Sequence, residues 1–129
     1  MQDPPATDEI LAAIAAFLRN TVMAGSEPHT AYQARVAANA IDLVRRQIAL
    51  GVPGEDAELE RLQALLGHGG TLSGLNAELA DALASGAKDL TTPGVAEHLR
   101  ATTLEKLRVD QPNYSGYRAA LATPDIEDT

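Results

Sequence analysis

Cysteine is absent from the 129 residues, and only Phe17, Tyr32, Tyr114 and Tyr117 are aromatic. Without thiols there is no disulfide and no thiolate nucleophile or metal ligand. Such a composition fits a reducing compartment. With so few rings, the core has to be Leu, Ile, Val and Ala. These small aliphatic side chains favour closely approaching helices over a large ligand cavity. Positive charge is scarce as well: ten Lys and Arg stand against eighteen Asp and Glu, a net charge of −8. A phosphate backbone needs basic surface to release its counterions, so nucleic acid is excluded as a partner. Single strands would also need aromatic platforms. An anionic membrane surface is disfavoured on the same electrostatic ground. No apolar run approaches the ~20 residues of a transmembrane helix. The opening MQDPPATDEI carries acid where a signal peptide carries base. A cytoplasmic protein with no membrane partner is the expectation.

What is present is helical periodicity. The longest run without glycine or proline is His29 to Leu50, followed by Gly51. At about 100° per residue, Ala37, Ala40, Ile41, Val44 and Ile48 share one side of this helix. Val36 and Leu43 widen that side to roughly half the circumference. Opposite it, Arg35, Asn39, Asp42 and Arg46 form a polar ridge about 60° wide. The broad apolar side is expected in the core, with Gly51 as the helix stop.

Around this central helix the chain spells out four others. Thr7 offers an N-cap to a first helix, with Asp8 and Glu9 at its positive end. Ile10, Leu11, Ile14, Phe17, Leu18 and Val22 stripe it as far as Gly25. The short turn Ser26-Glu27-Pro28 makes the first two helices antiparallel neighbours. Gly51-Val52-Pro53-Gly54 reads as a turn into a third helix, 55–66, striped by Leu59, Leu62, Leu65 and Leu66. A fourth, 73–85, carries Leu75, Leu79 and Leu83 after Leu72, with Ser73 as cap and Gly86 as stop. Thr92-Pro93 opens a fifth by the N1-proline rule, with Val95, Leu99, Thr103, Leu104 and Leu107 on one face. A short helical turn over 115–121 is anchored by Tyr114 and Tyr117. No period-2 run of β-branched residues occurs. The expectation is an all-α single-domain bundle, residues 1–121, of about five amphipathic helices with a long central second helix. Residues 122–129 are expected to be a disordered acidic tail.

Few residues suggest chemistry. Asp42 and Arg46 form an i,i+4 pair in the favourable order, and Arg35 with Asn39 extends the ridge. Lys106 and Asp110 project near the apolar arc of the fifth helix, where charges require partners. If Arg35, Asn39, Lys106, Asp110 and Tyr114 converge, they compose an anion site. Arg35 would be its bidentate fork and Lys106 its point charge; Asn39 and Tyr114 would bond a neutral part of the ligand, and Asp110 would orient the cations. The same side chains equally compose a buried ion network, Asp110 with Arg35 and Lys106 with Asp42. Gln33, within the apolar side, suits a hydrogen bond to a neighbouring loop. The GHGGT loop follows a helix where a phosphate-binding loop needs a strand, and it lacks the GKS or GKT ending. His29, His68 and His98 are too widely spaced for a metal site, and TLSGL lacks the nucleophile-elbow pattern. No catalytic residue, metal or cofactor is assigned.

Three separated segments, MQDPP, ARVAANAIDLVRRQIALG and HLRATTLEKLRVDQPNY, together resemble a small bacterial domain-of-unknown-function family. Its hallmark is an RVAANAL-like segment followed by a basic patch. The resemblance runs from Met1 to about Tyr114. Where that family has histidine before the ARVAAN segment, this chain has Gln33, which argues against a general base there. The family is encoded beside aminoglycoside-phosphotransferase-like kinases and acyl-CoA dehydrogenases. That company implies a non-catalytic accessory or regulatory role in acyl-CoA or hydroxy-acid metabolism, with either enzyme as protein partner. The family supplies no catalytic residues to carry over. The alternative is a small-molecule binder, or an enzyme, that recognises a CoA phosphate or a carboxylate through Arg35 and Lys106. Self-association into a homo-oligomer is also expected, because an alanine-rich helix packs well against its own copy.

Overall fold

A proline ring crowds the carbonyl four residues back and removes one donor, so Pro53 between Gly51 and Gly54 marks an expected helix break. The computed structural model, which describes residues 5–123, has none there. Gly51 is helical, with φ −64° and ψ −51°. The preceding turn, Gln47–Gly51, is a π turn. Its wider bonding pattern shifts the carbonyls that a proline would otherwise meet, so the helix passes through. The expected turn at 51–54 is therefore part of one helix of 39 residues.

The described residues form five helices and no strand: α1 (7–25), α2 (28–66), α3 (Leu72–Ser85), α4 (Val95–Asp110) and α5 (Ser115–Ala122). This is the all-α class with a long second helix. Within α1 a π turn, Leu18–Val22, separates Thr7–Phe17 from Met23–Gly25. None of the helices is long and apolar enough to cross a membrane. Gly67 and Gly86, with φ of 81° and 78°, close α2 and α3 in the left-handed conformation that glycine adopts without strain. The starting caps differ from expectation. Ala6 holds the N-cap position of α1, with Thr7 already helical. Thr71, the residue just before α3, caps it by accepting from Gly74 N–H at 3.0 Å, which Ser73, inside the helix, cannot do. Thr92 and Pro93 lie in a turn closed onto Asp89, and α4 starts after Gly94.

The chain divides into two compact units, Met1–Leu50 and Gly51–Thr129. In the first, α1 packs on the first half of α2 through Ala15, Ala34 and Ala38. Here the structure corrects the expected core. Val36, Val44 and Ile48 are 48%, 42% and 57% exposed, and Ala37 and Ala40 are exposed too. The inward side of α2 is the alanine line, about a quarter turn from the centre of its apolar side.

In the second unit the expected leucine stripes do meet. Leu62, Leu75 and Leu79 are buried together, with Leu59, Leu65, Leu66, Leu72 and Leu83 packed on them. Val95 brings α4 into the core, and Tyr117 buries α5 whereas Tyr114 remains half exposed. Ala122 is the last residue of α5 and Thr123 its cap; the rest of the expected tail, 124–129, lies outside the described residues.

The continuous helix has a signed consequence. A Cβ on Gly51 would meet nothing within 4 Å, so Gly51→Ala should stabilise by about 0.5–1 kcal/mol in urea denaturation. Gly67→Ala, at positive φ, should cost about 1 kcal/mol. If Gly51 were a helix stop, both substitutions would destabilise.

Candidate functional site

Along α4 the residues at successive spacings of three, four and three are Val95, His98, Thr102 and Glu105. That is the rhythm of a buried stripe, yet three of the four are polar. Buried polar groups need partners, and the second half of α2 supplies them. Arg61 closes its guanidinium on Glu105 with two parallel bonds, Nη1 to Oε1 and Nη2 to Oε2, each 2.9 Å. Nη2 also donates to Thr102 Oγ1 at 3.1 Å, and Nε to His98 Nδ1 at 3.3 Å. Next to it on α2, buried Glu58 accepts from Asn76 Nδ2 of α3 at 3.1 Å. One polar cluster thus ties α2, α3 and α4 together.

His98 is 3% exposed. Because its Nδ1 accepts from Arg61, the neutral ring carries its proton on Nε2. Burial, then the Arg61 charge, holds its pKa below the ordinary histidine value, with Glu58 and Glu105 opposing. Glu105 in turn pushes the Arg61 pKa up. A cleft of about 360 Å³ opens beside the cluster, between Ala64, Leu65, Pro93 and Gly94, with Arg61, Glu97 and His98 on its polar side. Gly94 is required there. Its φ is 88°, and a Cβ would come within 3.3 Å of Leu65 Cδ1. Chemically the Arg61–Glu105 pair is self-neutralised: the guanidinium fork is already filled by a carboxylate. Its work is to hold three helices in register. Among the described residues, no group of three or more His, Cys, Asp or Glu could hold a metal.

The residues expected from sequence divide between the two units. In the first, the Arg35 guanidinium lies 5.5 Å from the Tyr32 ring centre, a cation–π contact. Asn39 Oδ1 accepts from Arg19 at 3.0 Å. Asp42 pairs with Arg19 at 2.5 Å and Arg45 at 3.3 Å, and the Arg19 bond leads in lowering its pKa. Arg45 also reaches Asp8 at 2.8 Å. Asn39 and Asp42 of the polar ridge, joined by Arg45, therefore clasp α2 onto α1.

In the second unit Lys106 and Asp110 lie on the exposed side of α4, one residue round from the Glu105 that enters the ion pair. Tyr114 leans over Gly116, where a Cβ would come within 2.6 Å of its ring. With Leu99, Leu107, Tyr117 and Ala120 it lines a second, apolar groove of about 430 Å³. His68 takes a local role: it pairs with Glu78 at 2.8 Å and with Gly69 O, which raises its pKa. Sequence reasoning missed Arg19, Glu58, Arg61, His98, Thr102 and Glu105. For the α4 group the readable signal was polar residues continuing the rhythm of Val95.

A family model described as Domain of unknown function (DUF6285) matches residues 24–114. No curated protein matches the chain, and no solved structure does.

The two partnered histidines give opposite pH dependences. As pH falls through about 6.5, the unfolded chain takes up a proton that folded His98 refuses, so stability drops until the lower folded pKa is reached. His68 has a raised pKa. Its contribution is fully present below about 6.5 and is lost as pH rises through the folded value. Between pH 7 and 5, the denaturation midpoint of His98→Asn should fall less steeply than the parent's, and that of His68→Asn more steeply. A steeper acid loss in His98→Asn would contradict this assignment.

Proposed function

The chain belongs to the DUF6285 family, a domain of unknown function, and from that premise we propose a non-catalytic accessory or regulatory protein that works by binding another protein. The observation that carries this reading is the apolar surface of the first unit. Ile10, Ile14, Phe17, Val44 and Ile48 are all 42–57% exposed, although water disfavours each of them. An apolar patch of this kind marks an interaction surface. The cations best shaped for a ligand also support it, since Arg61 is occupied by Glu105 and Arg19 by Asp42. The gene company implied by the resemblance points to a cytoplasmic partner in acyl-CoA or hydroxy-acid metabolism, either a kinase-like phosphotransferase or an acyl-CoA dehydrogenase.

A second reading, recognition of a CoA phosphate or carboxylate, has in its favour that Arg35 and Lys106 are both exposed to dissolved anions.

Affinity purification of the full chain from its native host should bring down one of the two enzymes in stoichiometric amount. A chain recovered alone at every expression level, with no effect on either enzyme's rate, would overturn the accessory reading. Thermal-shift titration with CoA esters and hydroxy acids tests the second. A ligand site requires stabilisation of the parent that Arg35→Met abolishes while the unliganded melting temperature is retained.

A further inference from the structure

Resting on the reading of the chain as an interaction protein, we infer that the uncovered face of the α1–α2 hairpin is the surface on which a second copy of this chain docks. Two such hairpins, placed face to face, would close a four-helix bundle.

The clasp shows which residues share that face. Arg19 bonds Asn39 and Asp42, and Arg45 bonds Asp8, so these five residues lie along one edge of the hairpin. The line of contact through Ala15, Ala34 and Ala38 comes next around each helix. Beyond it, at about 100° per residue, α1 presents Ile10, Ile14 and Phe17, and α2 presents Ile41, Val44 and Ile48. All six fall on the edge away from the clasp. The hairpin is therefore a two-helix layer with one polar and one apolar edge, which is half of a bundle.

Two features select a copy of this chain as the occupant. First, the face carries no Asp, Glu, Lys or Arg; Thr21, Thr30 and Gln33, near the turn, are among its polar members. A partner must bring an equally uncharged apolar face with helical spacing, and the copy has one of equal length. A two-fold rotation sets the two faces on each other as an isologous contact.

Second, the approach is not opposed by charge. The first fifty residues hold Arg19, Arg35, Arg45 and Arg46 against Asp3, Asp8, Glu9, Glu27 and Asp42, so most of the net −8 belongs to the second unit. The half-exposed side chains and the alanines between them offer on the order of several hundred Å² per copy. That is the scale of patch that marks association and approaches the area each partner buries in a standard interface.

Sedimentation equilibrium of the full chain across micromolar concentrations tests the inference. The expected mass is twice 13.5 kDa. Ile14→Glu and Val44→Glu place an unpaired charge on the face, one from each helix, and each should weaken self-association at least about tenfold. Circular dichroism should show unchanged helicity, because both positions are over 40% exposed in the single chain. Leu90→Glu, 69% exposed in the second unit, should leave the mass at the dimer value. Should a charge variant lose helicity, Ala40→Cys with a spin label gives a second measure, since the chain has no other cysteine. Intermolecular dipolar coupling is expected there. A parent of 13.5 kDa at every concentration, dimers that persist in both charge variants, or absent coupling would each overturn the pairing. A monomer that still holds one of the two enzymes would overturn self-pairing and keep the accessory reading. A dimer that holds neither would do the reverse.

Discussion

Arg19 decides which side of α2 turns inward. Its guanidinium spans from α1 to Asn39 and Asp42, and Arg45 answers it from α2 with Asp8. Single ion pairs at this exposure contribute little to stability. Their influence here is geometric, because they form only when the alanine line of α2 faces α1. Turning α2 to bury Val44 and Ile48 instead would carry Asp42 away from Arg19 and leave both charges to find water. Alanines at the contact let the backbones approach closely, but they bury little area per residue. A hairpin built in this way has a thin core and keeps its larger side chains outside it.

The second unit solves the same problem differently. Leucines from α2 and α3 interlock, the polar stripe of α4 closes on Arg61, and Glu58 takes Asn76 of α3. The contrast bears on function. Where large aliphatic side chains are buried and cations are filled by carboxylates, a segment has finished its interactions within the chain. In the first unit Arg19 and Arg45 are likewise filled, but an apolar edge is left over. That edge is the feature from which an interaction partner is argued.

The all-α class and the ends of α2 and α3 were legible because long stretches of 3.6-residue rhythm are punctuated by glycines that require positive φ, as Gly67 and Gly86 do. The leucine stripes of α2 and α3 were legible for the same reason. Two things were not. Proline is tolerated in the first turn of a helical segment, so Pro53 reads equally as a start or as a passage, and only the π turn before it decides. The orientation of α2 was hidden by its breadth. An apolar side half the circumference wide contacts a neighbour through any part of itself, and periodicity cannot choose among the parts. The choice sat in Arg19, a charge within the stripe of α1 whose partners are some twenty residues away. On α4 the error was one residue. Lys106 and Glu105 differ by about 100° around the helix, and Glu105 is the one that faces Arg61.

The central claim is that the Arg19–Asp42 bond sets the register and rotation of the hairpin. A double-mutant cycle on Arg19→Met and Asp42→Asn, read as urea-denaturation free energies, measures it most directly. A favourable coupling of about 0.5–1 kcal/mol is the result this account predicts. Effects that add to within about 0.3 kcal/mol would mean the two side chains do not meet, and would contradict it.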